Sequence, residues 1–487
     1  MTDAAALYSA YAARDARFDG VFFIGVTSTG IYCRPVCTAR TPRRSNCRFF
    51  TSAEAAEKAS FRPCLRCRPE LAPGNAPVDD TRRIAHLVAH RIDEGLLDEE
   101  GGLEALAARF GWSSRQIRRM VQQELGVSPI ELVLTRRLLL AKQLLTETAL
   151  PITEVAYASG FGSLRRFNDA FRKRYGMPPT RLRRAAGAVN DAGSLSLQLT
   201  YRPPYDWPAM LAFLDARAVA GVEAVRDDAW LRTIRLGAHA GWLRVRHAPA
   251  RRALVVEISH ALTPVLPPLL GRLRNLFDLA ARPDVIAQHL AADPLLAPSI
   301  EAHPGLRVPG ALDGVETGIR AILGQQVSVR SATRVADRLA AAFGDRIETP
   351  FPGLDRLWPS AGVLATAGSD ALRECGIIGA RARAIVALAK AVADGTLELE
   401  PGLPAEEEVR RLIALPGIGP WTAGYIAMRA LHWPDAFPSG DVVVRKRLGG
   451  LSPVEVERRA EAWRPWRSYA VLHLWHGIGD DAAIPTG

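Results

Sequence analysis

A glycine- and proline-rich turn near the C-terminus constrains the fold most strongly. Residues 415–421 read Leu-Pro-Gly-Ile-Gly-Pro-Trp, and Gly417 and Gly419, each beside a proline, cannot continue a helix. Since apolar helical patterns lie on both sides, the stretch predicts two helices joined by a tight hairpin. Such a hairpin presents backbone N–H groups ahead of a helix N-terminus, an arrangement that binds phosphate. The turn alone is also compatible with an ordinary helix connection.

An aspartate follows this hairpin in the sequence. Asp441 lies 20 residues after Trp421, in the run Phe-Pro-Ser-Gly-Asp, directly ahead of three valines. An aspartate ahead of an apolar helical run is expected to cap the helix, and capping alone accounts for most such residues. A phosphate-binding turn combined with a nearby carboxylate indicates an enzyme that acts on DNA.

The combination resembles the helix-hairpin-helix DNA glycosylase superfamily. Two further segments resemble its AlkA branch, whose members remove alkylated bases: residues 320–329, Arg-Ala-Ile-Leu-Gly-Gln-Gln-Val-Ser-Val, and residues 466–475, Trp-Arg-Ser-Tyr-Ala-Val-Leu-His-Leu-Trp. The resemblance implies that a damaged base is flipped out of the duplex into a pocket. It assigns Asp441 as the catalytic carboxylate, which stabilises an oxocarbenium-like sugar or orients the attacking water.

The same resemblance assigns the other site residues of this half. The pocket aromatics are Trp421, Tyr425 and Trp475, whose alternative role is core packing, and the DNA contacts are Gln325, Gln326, Gly417 and Gly419. Two positions depart from the family pattern: Gln326 replaces an intercalating leucine, and Ser439-Gly440 replaces a Pro-Asp pair. The hairpin carbonyls are candidate ligands for a monovalent cation. Strand-cutting relatives carry a lysine nucleophile at the position of Trp421, so we expect a monofunctional glycosylase.

Five of the six cysteines fall between residues 33 and 67, and their spacing predicts a metal site. Three residues separate Cys33 from Cys37, two separate Cys64 from Cys67, and 26 lie between the pairs. Four thiolates at such spacing suit a tetrahedral zinc ion, and most such sites only stabilise a small fold. The N-terminal sequence lacks the pattern of a signal peptide, so disulfides are not expected.

The residues around these cysteines resemble the N-terminal domain of the Ada family of adaptive-response proteins. The matching runs begin at Phe22, Gly30 and Phe61 and include Tyr-Cys-Arg-Pro-x-Cys and Phe-Arg-Pro-Cys-Leu-Arg-Cys. The resemblance implies that Cys33, bound to a structural and catalytic Zn²⁺, accepts a methyl group from a DNA methylphosphotriester. Losing one thiolate charge would then raise DNA affinity. Cys47 is a bystander, and the basic cluster Arg40, Arg43, Arg44 and Arg48 either holds phosphates or forms a solvated loop.

An internal repeat between the two halves predicts a tandem helix-turn-helix. Leu103, Leu106, Ala107, Gly111 and Trp112 recur 49 residues later as Ile152, Val155, Ala156, Gly160 and Phe161. The second helices carry the candidate DNA contacts Ser113, Arg115, Gln116 and Arg119 in one copy and Ser163, Arg165, Arg166 and Asn168 in the other. The segment resembles the AraC-type DNA-binding domain, whose two recognition helices enter successive stretches of major groove.

Taken together, these segments predict a multidomain, mostly α-helical protein. The expected domains are a small α+β zinc domain (1–75), an all-α double helix-turn-helix (80–187), an α+β AlkA-type domain with only a packing role (194–304) and an all-α glycosylase domain (305–487), with linkers near 71–77 and 185–194. Residues 1–190 hold 29 basic and 19 acidic side chains, whereas the rest holds 33 and 32, so the N-terminal part is the stronger electrostatic candidate for nucleic acid.

We therefore expect a protein that senses methyl damage, regulates promoters and excises damaged bases. Its expected partners are double-stranded DNA and RNA polymerase, and it is expected to be a cytoplasmic, nucleoid-associated monomer without a membrane span. No Pro-Cys-His-Arg run is present, so direct repair of alkylated guanine oxygen is not expected. Two alternatives stay open: a regulator whose C-terminal half only binds DNA, and a glycosylase whose N-terminal half only targets it to DNA.

Overall fold

The computed structural model of the chain forms two compact units. It describes residues 4–14, 22–50, 56, 59–64, 66–67, 85, 87–89, 91–92, 95, 102–109, 112–184 and 194–476. One unit comprises residues 1–90 with 99–132, and the other comprises residues 91–98 with 133–487. The predicted linker at 71–77 lies outside the described residues, and of the one at 185–194 only Ser194 is described, as the first residue of a strand.

The first unit begins with helix α1 (Ala4–Ala12) and a small sheet. The strands are β1 (Phe23–Val26), β2 (Ile31–Cys33), β3 (Cys47–Phe50) and β4 (Arg62–Pro63), in the order β3-β1-β2-β4, with only the β2–β4 pair parallel. Because strand residues alternate between faces, Ile24 packs with the cysteines on one side and Phe23 packs with Tyr32 and Phe61 on the other. The predicted small α+β domain is confirmed.

Helices dominate the middle of the chain. The first unit adds α2 (Gly102–Arg109) and α3 (Ser114–Leu125), and helix α4 spans Pro129–Glu147. The second repeat forms α5 (Ile152–Ala158), α6 (Leu164–Tyr175) and α7 (Pro179–Arg184). Ile117 with Val121 in α3, and Phe167 with Phe171 in α6, are apolar at the spacing i, i+4, which predicts one buried face on each helix. All four side chains are fully buried, so this prediction is confirmed.

A five-stranded antiparallel sheet follows in the second unit. Its strands are β5 (Ser194–Thr200), β6 (Glu223–Arg226), β7 (Ala229–Leu236), β8 (His239–Ala248) and β9 (Ala253–Ser259), in the order β5-β9-β8-β7-β6, and α8 (Trp207–Asp215) connects β5 to β6. Leu195, Leu197 and Leu199 alternate with polar residues in the sequence, a pattern that predicts a half-buried strand. This prediction is confirmed, because all three leucines are buried in β5. The short strand β6 was not predicted.

Two polar side chains of α4 cover the outer edge of this sheet. Strand β5 lies at the edge, and its Gln198 backbone N–H donates to Glu147 Oε2 at 2.9 Å while the Gln198 carbonyl accepts from Gln143 Nε2 at 2.8 Å. Leu144 of α4 and Phe167 of the second helix-turn-helix share one buried cluster with Leu197 of the strand. This helix-turn-helix and the sheet therefore form one packed body.

The remainder of the second unit is helical, as predicted. Its helices are α9 (Leu266–Leu276), α10 (Pro283–Leu290), α11 (Ala297–Ala302), α12 (Gly314–Leu323), α13 (Val329–Phe343), α14 (Ala361–Glu374), α15 (Gly379–Ala393), α16 (Ala405–Ile413), α17 (Pro420–Arg429), α18 (Val442–Arg447), α19 (Pro453–Ala460) and α20 (Arg467–His476). Among the described helices, none combines the length and apolar character that crossing a bilayer requires.

A network of four charges, three of them buried, fixes α12 against the sheet. Arg232 of β7 binds Glu223 of β6 at 2.9 Å and also pairs with Glu316 of α12. Arg320 of α12 binds both of these carboxylates, at 2.7 and 2.8 Å. Because each charge meets opposite charges, the network can be buried, and it fixes the position of the segment that carries Gln325 and Gln326.

Candidate functional site

The predicted hairpin is present between α16 and α17. Gly417 adopts a φ of +79°, a conformation that side-chain-bearing residues rarely adopt, and a Cβ there would lie 2.9 Å from the Cβ of Ala384. Gly419 is the N-cap of α17, with Pro420 at the first helical position, and no side chain caps this helix. The first N–H groups of α17 are therefore free of a capping side chain, as a phosphate-binding turn requires.

The two glutamines ahead of α13 have different surroundings. The Gln325 amide donates to the Gly417 carbonyl and to the Thr422 hydroxyl, both at 2.9 Å, so this side chain braces the hairpin. Gln326 is exposed and has a φ of +54°, which places it at the tip of the turn. In this arrangement Gln326 is available for an external contact, whereas the amide of Gln325 is committed within the protein.

Asp441 caps α18 and accepts hydrogen bonds from four groups. Its Oδ1 accepts from the backbone N–H groups of Val443 and Val444, each at 3.0 Å, as the sequence predicted. The indole of Trp475 also donates to Oδ1, at 3.1 Å, and the indole of Trp421 donates to Oδ2 at 3.0 Å. The side chain is therefore buried and held by donors alone, at a helix N-terminus.

The three predicted pocket aromatics form one cluster beside this carboxylate. The rings of Trp421 and Tyr425 stack with centroids 5.6 Å apart and planes 23° apart, and Tyr425 lies 6.2 Å from Trp475. Each of the three is only partly buried, so the cluster is not a sealed core. The structure thus brings Asp441, Trp421, Tyr425 and Trp475 together. Taken singly, each aromatic residue could have been a core residue and Asp441 only a helix cap.

Two arginines that were not predicted lie at the Tyr425 hydroxyl, and the ring of Phe213 contacts both of them. Arg429 donates to it from Nη1 at 2.7 Å, and the Arg429 guanidinium lies 4.6 Å from the ring of Phe213. Arg217 lies beside the same hydroxyl and 3.7 Å from the Phe213 ring. Phe213 and Arg217 come from α8 and the turn after it, so the α+β domain contributes to the surroundings of Tyr425 beyond its expected packing role. No sequence pattern indicated this contact.

The four predicted cysteine ligands converge in the first unit. The sulfur atoms of Cys33, Cys37, Cys64 and Cys67 all lie within 4.8 Å of one another, and none forms a disulfide. Cys33, Cys37 and Cys64 are buried, whereas Cys67 is partly exposed. Cys47 is outside the cluster, and its thiol faces the Arg43 carbonyl at 3.5 Å, in agreement with the bystander role.

The chemistry of the donor set fits a zinc ion. Hydrogen bonds from the thiols of Cys33 and Cys67 lower the pKa of Cys37, whereas the same close contact with Cys37 raises the pKa of Cys33. The neighbouring thiols therefore stabilise one thiolate, at Cys37. Four thiolates this close together would repel one another without a bound cation. Structural zinc sites commonly have four sulfur ligands. The arginines of the nearby basic cluster are all exposed.

The predicted recognition helices expose their arginines but use other polar residues for capping. Ser113 accepts from the Gln116 backbone N–H at 3.2 Å while the Gln116 side chain accepts from the Ser113 N–H at 2.8 Å, which forms a capping box. Ser163 caps α6 by one bond, accepting from the Arg166 backbone N–H at 3.3 Å. The exposed side chains are Arg115, Gln116, Arg119, Arg165 and Arg166, and Asn168 is partly buried.

Family models match four successive parts of the chain. They are the metal-binding domain of Ada at residues 6–70, a helix-turn-helix domain at 106–185, the AlkA N-terminal domain at 196–313 and the HhH-GPD superfamily of base excision DNA repair proteins at 319–468. The fold and these matches define a multidomain DNA repair protein of the HhH-GPD superfamily that also carries an Ada-type regulator.

Curated relatives show how these domains are combined elsewhere. A probable bifunctional transcriptional activator/DNA repair enzyme AlkA of Mycobacterium tuberculosis is 39% identical over 483 residues, which cover 96% of this chain and 95% of that protein. DNA-3-methyladenine glycosylase 2 of Escherichia coli is 39% identical over 281 residues, covering 58% of this chain and 97% of the glycosylase. The bifunctional activator/repair enzyme Ada of the same species is 40% identical over 119 residues, 24% of this chain and 31% of Ada.

The chain belongs to the family of bifunctional proteins that join an Ada-type transcriptional regulator to an AlkA-type DNA glycosylase. The multidomain fold class is confirmed, and the reading as a non-enzymatic regulator is not supported.

Proposed function

We propose that the C-terminal half hydrolyses the N-glycosidic bond of alkylated bases of the 3-methyladenine type in double-stranded DNA. The observation that carries this proposal is the setting of Asp441, whose carboxylate is held by two indoles of a partly exposed aromatic cluster. Aromatic faces bind flat bases and favour positive charge, which alkylated purines often carry. A fixed carboxylate next to them is suited to a positive charge developing on the sugar.

The proposed reaction is a substitution at the sugar carbon C1′. The bond from C1′ to the base nitrogen breaks, the bonding electron pair leaves with the base, and a water oxygen bonds to C1′. The water gives up one proton, and the products are the free base and an abasic site. Asp441 stabilises the positive sugar in the transition state, while Trp421 and Tyr425 hold the flipped base.

We further propose that the hairpin holds the DNA backbone during this step. The N–H groups at Gly417 and Gly419 and the start of α17 would bind phosphate, with a monovalent cation at the hairpin carbonyls. Gln326, exposed at its turn, would fill the space that the flipped base leaves. Because the family's nucleophilic lysine is replaced by Trp421, no amine is available there to form a Schiff base, so the product keeps an intact strand.

Base release from methylated duplex DNA tests the glycosylase. Wild type should release 3-methyladenine or 7-methylguanine, and Asp441→Asn should lose about 100-fold or more of the rate. Asp313→Asn is a matched control, since Asp313 also caps a helix, by accepting from the Glu316 N–H at 2.9 Å, but contacts no indole. Undiminished release by Asp441→Asn would refute the assignment of the carboxylate.

For the N-terminal domain we propose a single transfer of a methyl group from a DNA methylphosphotriester to Cys33. The Cys33 sulfur forms a bond to the methyl carbon, the bond from that carbon to the phosphate oxygen breaks, and the electron pair remains on the oxygen as a diester anion. Zinc bound by the four cysteines supplies the charge that keeps the sulfurs deprotonated. The thioether product is stable, so each molecule reacts once.

Mass spectrometry of the protein after exposure to methylphosphotriester DNA tests this transfer. We expect one added methyl group on Cys33, none in Cys33→Ser, and an unchanged outcome in Cys47→Ser, because Cys47 lies outside the cluster. A methyl group on another cysteine, or on none, would contradict the proposal and favour a domain that only targets the glycosylase to DNA.

We also propose that the exposed arginines of α3 and α6 contact promoter DNA, and that methylation of Cys33 strengthens this binding by removing a negative charge. We propose that the protein acts as a monomer, together with RNA polymerase, at the nucleoid. Gel-shift titration with unmethylated and methylated protein measures the change in affinity, and equal affinities would contradict the electrostatic switch.

A further inference from the structure

A short stretch of the N-terminal half is built into the second unit. Residues 91–98 belong to that unit, although the residues that precede and follow them in the chain, 1–90 and 99–132, form the first unit. Three of them are described, Arg91, Ile92 and Gly95, and the side chains of Arg91 and Ile92 are buried. The matches to the AlkA N-terminal domain and the HhH-GPD superfamily begin only at residues 196 and 319. These three residues are called the joining segment below.

Arg91 binds the joining segment to the loop between α15 and α16. Its Nη1 donates to Oε2 of Glu400 at 2.6 Å, and its Nη2 donates to Oε2 of Glu398 at 3.1 Å. The Arg91 side chain is only 6% exposed, so its charge has lost most of its water and depends on these two carboxylates. Because charge-assisted hydrogen bonds of this kind are strong and directional, they fix the segment at one position on the loop.

Gly95 fits the joining segment against the first turn of α9. It has a φ of +72°, and a Cβ at this position would lie 2.6 Å from the carbonyl carbon of Pro267 and 2.7 Å from the nitrogen of Pro268. The two backbones are thus as close as a residue without a side chain permits. A side chain at residue 95 would push the segment away from α9, and Arg91 away from its carboxylates.

Glu400 connects this contact to α9. Its other carboxylate oxygen, Oε1, accepts from Nη2 of Arg272 at 3.3 Å. Arg272 donates from Nη1 to the Leu312 carbonyl at 3.0 Å. One carboxylate therefore holds two guanidiniums, that of Arg91 in the joining segment and that of Arg272 in α9, and the second of them holds the backbone at residue 312.

The same stretch of backbone is also held by an arginine of the aromatic cluster. Arg429 of α17 donates to the Gly310 carbonyl at 3.1 Å and to the Pro309 carbonyl. Its Nη1 donates to the Tyr425 hydroxyl at 2.7 Å. Since Arg272 and Arg429 hold the same stretch, an unbroken series of polar contacts and backbone leads from the joining segment to the aromatic cluster.

We propose that the docked joining segment positions Tyr425, so that base excision depends on a contact that the N-terminal half supplies. This inference rests on the proposed glycosylase function and concerns its control. When Arg91 is withdrawn, Glu400 loses its shorter hydrogen bond, Arg272 is free to reorient, and the backbone that Arg429 holds is no longer fixed from α9. Arg91 and Arg272 are positioning residues, since only Tyr425 in this series is placed against the base.

The place of the joining segment in the sequence makes it a point of control. Both stretches that flank it belong to the first unit, which carries the four-cysteine cluster. A pull on the chain from either stretch acts directly on Arg91 and would lower excision. Coupling through contiguous contacts of this kind typically changes an affinity or a rate severalfold.

Excision of 7-methylguanine from methylated duplex DNA by the full-length protein tests the coupling. Arg91→Met and Glu400→Ala are each expected to lower kcat/KM roughly fivefold. The double variant should lose little more, because either change breaks the same series of contacts. Arg91→Lys keeps the charge and should retain most of the activity. Arg118→Met is the matched control, since Arg118 pairs with Glu104 on an exposed surface and should leave excision unchanged.

A second pair of variants displaces the joining segment without changing a charge. Gly95→Ala should reproduce the loss seen in Arg91→Met, because its Cβ would clash with α9. Gly126→Ala is the matched control: Gly126 has a similar φ of +75°, but a Cβ there meets no atom within 4 Å. Equal losses in the two alanine variants would assign the effect to backbone strain and overturn the proposal.

Tyr425 provides a readout that a purely structural role would not change. Burial raises the pKa of its phenol, but the charges of Arg429 and Arg217 outweigh burial and bring this pKa below its ordinary value. Ultraviolet difference titration of proteins with and without Tyr425→Phe isolates the phenol, and its pKa should rise in Arg91→Met but not in Arg118→Met. A lower melting temperature with an unchanged phenol pKa would reduce Arg91 to a structural role and overturn the proposal.

Failure of the coupling is distinguishable from failure of the glycosylase function. Wild-type excision by Arg91→Met, or losses that multiply in the double variant, would overturn the coupling and leave the glycosylase intact. Release of no base by wild type, with the shift of the phenol pKa present in Arg91→Met, would refute the glycosylase and leave the link between Arg91 and Tyr425 standing.

Discussion

The indole N–H of Trp475 donates a hydrogen bond to Oδ1 of Asp441 across 3.1 Å. Trp475 stands near the end of the described chain, and Asp441 begins a helix 34 residues earlier, so the contact joins α20 to the N-terminus of α18. A second indole, from Trp421, holds the other carboxylate oxygen. Both oxygens of the carboxylate are thereby fixed in orientation before any DNA binds.

Removing the Trp475 donor should slow base excision without removing the aromatic surface. A hydrogen bond to a charged group contributes about 1.5–3 kcal/mol, so Trp475→Phe is expected to lower the single-turnover rate roughly 10- to 100-fold. Trp358→Phe is the matched control, because the Trp358 indole is buried without a hydrogen-bond partner among the described residues. A similar loss of rate in both variants would show that the N–H group is not responsible.

The hairpin glycines should differ in their tolerance of alanine. Gly417→Ala places a side chain at a φ of +79° and within 2.9 Å of Ala384, so it should cost about 1–3 kcal/mol and weaken DNA binding. Gly419→Ala meets no atom within 4 Å and has an ordinary φ, so its effect on stability should be small. Chemical denaturation and DNA titration of both variants check this, and equal effects would contradict the strain argument.

A buried ion pair should stabilise the helix that carries Trp475. Arg467 binds Asp435 through Nε at 2.7 Å and through Nη2 at 3.0 Å, and both residues are buried. Asp435→Ala would leave the Arg467 guanidinium chiefly with the half-exposed Glu457, which it binds at 2.8 Å, so the loss should be about 3 kcal/mol, the lower end for breaking a buried ion pair. Tryptophan fluorescence during urea unfolding measures the loss. Asp370→Ala, at an exposed ion pair with Arg373, should change stability by less than about 1 kcal/mol.

Acid should destabilise the protein through His473. Burial, together with the nearby charges of His303 and His476, lowers the pKa of His473 from 6.5 to about 4 despite the opposing charge of Asp206. The unfolded chain binds the proton first, so this contribution is complete above pH 6.5 and is lost as the pH falls towards 4. About 2 kcal/mol should disappear between pH 7 and pH 5.

Unfolding free energies at these two pH values test the role of His473. The difference between them should shrink in His473→Gln and persist in His260→Gln, which alters an exposed histidine. A pH dependence that His473→Gln leaves unchanged would assign the acid sensitivity to other groups.

The four-cysteine cluster should bind one zinc ion per chain. Elemental analysis after dialysis should find zinc in wild type and in Cys47→Ser, and little in Cys37→Ser, which removes one of the four sulfurs. Because protons compete with zinc for thiolates, retention should decrease on acidification. Full zinc content in Cys37→Ser would argue against a four-sulfur site.

Local patterns in the sequence predicted much of this architecture. Leu195, Leu197 and Leu199 alternate with polar residues, and this pattern predicted strand β5 because one face of such a strand is buried. The spacing of the cysteines predicted their cluster because four thiolates so spaced can bind the same metal ion. Asp441 was predicted as a cap from its position before an apolar run, and the structure confirms it. The capping box of Ser113 and Gln116 could have been predicted from the sequence spacing Ser-x-x-Gln.

Contacts between distant segments were not predictable in this way. Gln325 reaches the Gly417 carbonyl across 92 residues of sequence, and its own neighbours give no indication of that partner. The approach of Arg217 to Tyr425 depends on how the α+β domain packs against the helical body, which no periodicity encodes. Strand β6 escaped prediction because four residues are too few to show an alternation.

The hydrogen bonds from Gln143 and Glu147 to strand β5 determine where this chain can be divided. An unpaired strand edge readily pairs with another chain, and here helix α4 covers that edge. A fragment beginning at Ser194 would bare both the edge and the apolar face that Leu144 and Phe167 share with the sheet. The excision half is therefore better expressed from the start of α4 at Pro129 than from the apparent domain boundary.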